Sequence, residues 1–125
     1  MCVDNPVPFH SDKPIIAYKV MFIRDNKLES PVAGNEYELG CTYCAKFPKN
    51  YCFVFLCKDY GVGFHAFKTI QDAETMLSKF YTNLSLKIVE VELSEITHKG
   101  TEKVDIDQKA TVYVAKQCKF IRVIE

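Results

Sequence analysis

One short stretch constrains this chain more than any other: Tyr60-Gly61-Val62-Gly63-Phe64-His65-Ala66-Phe67, which runs into a helix opening near Thr69. It brings together two of the five glycines, one of the three histidines and three aromatic residues. Small residues allow another group to approach the backbone closely. The free N–H groups of a helix start favour anions. A strand, a close approach and a helix N-terminus therefore meet here. Gly61-x-Gly63 has no third glycine and no following Walker lysine, so a dinucleotide or P-loop fingerprint does not form.

The helix after the junction is the clearest periodic element. Ile70, Ala73, Met76, Leu77 and Phe80 form one apolar stripe, with Gln71, Asp72, Glu74, Thr75, Ser78 and Lys79 on the other face. Thr69 is the expected N-cap, with Asp72 three residues on in a capping-box arrangement. The rest reads as strands. Residues 15–23 are nearly all apolar, with Lys19 the only charge. Residues 36–39 alternate as a short edge strand, 51–57 are aromatic-rich, and 86–93 alternate on Val89, Val91 and Leu93. A polar segment with a Lys99-Gly100 turn follows, then two strand-like pieces at 111–115 and 120–124. The expected class is α+β: a single domain over 15–125, with a twisted, mainly antiparallel sheet of about six short strands and one main helix at 70–80. Residues 1–14, with Pro6, Pro8 and Pro14, read as an extended arm, and the cysteine-rich piece 41–50 reads as a loop.

Composition narrows the function classes. Sixteen basic and sixteen acidic residues cancel, which argues against a nucleic-acid or anionic-lipid partner. No apolar run is long enough for a membrane span. The first residues lack the basic and apolar regions of a secretory signal, so a cytoplasmic setting is expected, with the six cysteines as thiols or metal ligands. Cys41-x2-Cys44 has the spacing of a zinc knuckle, while Cys52 and Cys57 lie five apart in an apparent strand. A zinc site built on Cys41, Cys44, Cys52 and Cys57, with His65 as a substitute ligand, is one alternative. Glu90 and Glu92 share a strand face, read as a solvated one.

Two resemblances attach to these motifs. Tyr18-Lys19-Val20, the Gly63-Phe64-His65-Ala66-Phe67 stretch, the helix containing Ala73, the Val89-Glu90-Val91 strand and the late Lys99-Gly100 pair are similar to a group of small uncharacterised phage and gut-bacterial proteins. That resemblance implies no activity. More distantly, Tyr18-Lys19 and Gly63 to Phe67 resemble the first two motifs of the ADP-ribosyltransferase-like fold, which would imply NAD as cofactor. Thr111 to Tyr113 stands where that family carries its catalytic Glu, and Lys19 lacks the bidentate fork of the family's Arg. The resemblance therefore implies a degenerate site. The expectation is a non-enzymatic binding or interaction module whose ligand-binding residues are Tyr18, Lys19, Gly63, His65 and Phe67, with His65 the polar anchor. No cofactor is expected, zinc and NAD being the alternatives; the partner is an unidentified protein or small molecule.

Overall fold

A computed structural model describes residues 3–25, 27–29, 36–45, 63–79 and 85–124. The strands are β1 (Asp4–Pro8), β2 (Ile15–Arg24), β3 (Lys27–Glu29), β4 (Glu36–Tyr37), β5 (Thr42–Cys44), β6 (Phe64–Phe67), β7 (Leu86–Asp105) and β8 (Gln108–Ile124). The one helix among the described residues, α1 (Ile70–Leu77), follows β6. The expected strand at 51–57 and the helix residue Phe80 lie outside the described residues.

The α+β class with about six short strands is corrected. The described residues are dominated by one eight-stranded antiparallel sheet, in which β7 and β8 are 20 and 17 residues long. The polar segment expected to turn at Lys99-Gly100 continues as strand, with Gly100 paired to Val112. The pieces expected at 111–115 and 120–124 are parts of one strand. Polar residues at 97–109 hid this pairing, because a ladder with only one covered face needs few apolar residues. The hairpin turns instead at Ile106-Asp107, between Asp105 and Gln108. The arm also joins the sheet, since β1 pairs with β7. In the expected loop, β5 pairs with β8.

A straight 20-residue strand would span about 66 Å, far beyond the size of a domain this small. The β7–β8 hairpin therefore bends. Glu95 sits at φ 52°, which breaks the two-residue alternation. Leu93 and Ile96, three apart, consequently belong to the same core cluster. N-terminal to the bend, β7 pairs with β2 (Ile15↔Leu93 through Phe22↔Leu86); C-terminal to it, β7 pairs with β1. Since β8 pairs with β6 and β6 with β2, the path β2–β7–β8–β6 closes on itself.

The circuit has a filled interior. Ala17 and Met21 from β2, Val89, Val91 and Leu93 from β7, Phe64 and Ala66 from β6, and Tyr113, Cys118 and Phe120 from β8 pack in one cluster. Tyr37 stacks on Phe120 at 4.6 Å between centroids and meets Tyr43 edge-on at 4.9 Å. Gly40, at φ 82°, makes the turn between these two tyrosines and donates its N–H to the Phe120 carbonyl at 2.7 Å. A second cluster, with Phe67, Ile88, Val112 and Val114, lies on the outer face, where α1 covers it with Ala73, Ile70, Met76 and Leu77. The cap is as expected. The Asp72 N–H donates to Thr69 Oγ1 at 3.2 Å, and the Thr69 hydroxyl donates to the Asp72 carboxylate at 2.9 Å.

Candidate functional site

Of the five residues singled out for ligand binding, Tyr18, Lys19, His65 and Phe67 lie at the seam between β2 and β6, divided between the two faces of the sheet, while Gly63 lies against β8. Tyr18 and Phe67 are direct cross-strand partners, and both pack into the outer cluster beneath α1. Lys19, between the interior residues Ala17 and Met21, alternates to the interior side. His65, between the interior residues Phe64 and Ala66, alternates to the outer side.

Lys19 has a specific partner. β2 and β6 pair through a single position, Tyr18↔Phe67, and then diverge. Past that point the Lys19 ammonium donates to the His65 carbonyl at 2.5 Å. A side chain thus supplies the rung that the separating backbone no longer provides, as a buried carbonyl requires. Burial pulls the Lys19 ammonium below its ordinary pKa, while Cys118 and Glu102 oppose that shift.

The neighbours are tuned in the same way. Burial, followed by the field of Lys19, lowers His65 to about 3, so the imidazole is neutral at physiological pH. Burial raises the Cys118 thiol to about 11, which leaves it a poor nucleophile. Burial also raises the Glu102 carboxyl, with Lys19 acting against it and Asp4 with it. Sequence reasoning did not single out Glu102 or Cys118. Glu102 lies in a polar run read as a turn region, and Cys118 between two strand pieces that are one strand. A half-buried lysine with an acid in its field is the signal that joins them, and it needs the fold.

Gly63 permits a close approach, and the group that approaches is the protein itself. A Cβ at Gly63 would lie 2.5 Å from Val114 Cγ1 and 3.3 Å from the Ala115 carbonyl oxygen. The glycine lets β6 enter the circuit against β8. Residues 60–62, the start of the motif, lie outside the described residues.

Cys41 and Cys44 are exposed free thiols. They flank and end β5 instead of sharing a knuckle turn, and the Cys41 carbonyl accepts from the Phe120 N–H at 3.3 Å. Cys52 and Cys57 lie outside the described residues, and among the described residues no group of three or more His, Cys, Asp or Glu could hold a metal ion. Glu90 is salt-bridged to its cross-strand partner Arg122 at 3.2 Å. No helix among the described residues is long and apolar enough to cross a membrane.

No protein-family model, curated protein or solved structure matches the chain.

Proposed function

We propose that the chain is a small, non-enzymatic binding module of the phage or mobile-element type, working in the cytosol and engaging a protein partner through the tip of the β7–β8 hairpin. The observation that carries this reading is Ile106. It stands at the end of the two longest strands with 80% of its surface exposed, at a turn position where polar residues are the usual choice. Just below it, Lys103 and Lys109 face each other directly across the ladder, both exposed. Like charges in that arrangement destabilise a hairpin. A partner with an apolar pocket and an acidic rim would bury the isoleucine and offset the repulsion. Asp105 is already engaged by Lys79 at 3.7 Å. The chemistry-bearing side chains at the β2–β6 seam serve the fold, which agrees with a binding role. The exposed thiols of Cys41 and Cys44 suit a reducing compartment.

The test is to immobilise the chain and its Ile106→Asp variant and compare what each retains from a cell extract, alongside melting curves with and without NAD. We expect Ile106→Asp to keep its melting temperature within a degree or two and to lose the retained partner. Identical retention by both chains, or an NAD-dependent rise in melting temperature accompanied by NAD turnover, would overturn the reading.

A further inference from the structure

We infer that the edge of β7 at residues 98–101 is a strand-acceptor groove, filled in one molecule by its own β1 and able to take the β1 of a second copy in exchange. This self-association does not depend on the contact proposed at Ile106.

The groove has a shape that selects its occupant. Gly100 leaves a notch in β7. A Cβ there would lie 2.6 Å from the Asp4 carbonyl oxygen and 3.3 Å from the Pro6 Cα. The Val3 side chain sits in this notch, 5% exposed, in the cluster of Val104, Ala110 and Val112. The seat thus takes an extended segment carrying a small branched residue, which the N-terminal sequence supplies.

The strand is held loosely for one that fills such a seat. Its register with β7 consists of Asp4↔Thr101, Val7↔Lys99 and Pro8↔His98, with a break between Asp4 and Val7. Asn5 lies in that break at φ 50°. Pro6 and Pro8 bring no N–H to the ladder. Beneath the strand, the Thr101 hydroxyl is buried with no hydrogen-bond partner among the described residues. Beyond the break the strand pairs again at Val7↔Lys99 and Pro8↔His98, and the Phe9 N–H donates to the Thr97 carbonyl at 2.9 Å.

A second copy is the occupant that fits, because exchange reproduces every contact of the seat. The free-energy difference between the two states then reduces to the hinge and to the entropy of association. The hinge, residues 10–14, is mostly exposed and ends in Pro14. A short connection between a detachable strand and the body is the arrangement in which exchange between copies occurs. The open state is reached by breaking few bonds, and association then depends on concentration.

The test uses the Val7↔Lys99 pair, whose separation as a cross-strand pair suits a disulfide. Three full-length chains, each with Cys2, Cys41, Cys44, Cys52 and Cys57 replaced by Ser so that only the buried native Cys118 remains, carry Val7→Cys, Lys99→Cys or both, and the single variants bear different tags. In dilute oxidising buffer the double variant should close within one molecule, which checks the register. When the two single variants are mixed at high concentration and oxidised, we expect a covalent heterodimer at least several-fold above either homodimer. Adding Gly100→Ala to the Lys99→Cys chain should suppress it, because the acceptor notch is lost. Closure of the double variant with no excess heterodimer in the mixture overturns the inference. So does a heterodimer that forms equally well with Gly100→Ala.

Discussion

Lys19 and His65 show how a single side chain can complete a backbone ladder. The lone charge in an apolar strand stands out in the sequence, but its acceptor lies 46 residues away, and only the divergence of β2 from β6 creates the need for it. The same burial gives a pH signature. With His65 lowered to about 3 in the folded state, against an ordinary value near 6.5, the unfolded chain binds the extra proton first as pH falls. Stability is therefore intact above about pH 6.5 and declines between there and about pH 3, by up to roughly 1.4 kcal/mol per pH unit. Urea unfolding of the wild type and of His65→Gln from pH 7 to pH 4 should show a steeper loss in the wild type. Parallel curves would mean that His65 is hydrated well enough to protonate in place.

At the level of elements, α1 was legible and the long hairpin was not. The helix has both of its signals within a dozen residues: an apolar stripe and a Thr69–Asp72 cap, and both are in the structure. The hairpin carries Glu95 at φ 52°, a conformation no sequence rule would assign it. That backbone conformation disfavours side chains with a Cβ by about 1–2 kcal/mol. Replacing Glu95 with Gly should relieve part of this, less the added freedom of the unfolded chain. We expect a net gain of about 0.5–1 kcal/mol, seen as a rise of a few degrees in melting temperature. A loss of stability would show that the Glu95 side chain contributes more than its backbone costs.

For the molecule as a whole, closure of β2, β7, β8 and β6 into one circuit sets both the class and the core. Phe120 is fully buried at its centre and packs against Tyr37, Tyr43 and Phe64. Phe120→Ala should cost about 3–5 kcal/mol, read from the urea midpoint at an unchanged slope. A cost below about 1 kcal/mol would mean that the circuit collapses around the gap without needing this packing. The candidate ligand residues belong to the same scale. Sequence reasoning grouped Tyr18, Lys19, Gly63, His65 and Phe67 as one set. Closure then places them on opposite faces and turns the Gly63 gap toward Val114.

What this sequence determined by itself is local. It specified the strand at 15–23, the capped helix, a short strand in 36–39 of which the structure forms Glu36–Tyr37, and the alternation of Val89, Val91 and Leu93, because each depends on neighbours within a few residues. The tertiary structure decided the rest: that polar residues 97–109 form a ladder, that the arm is a strand, and that Lys19 completes a hydrogen bond. Those outcomes depend on pairings between residues far apart in the chain. A backbone group in such a pairing carries no mark of its partner until closure of the sheet brings the two together.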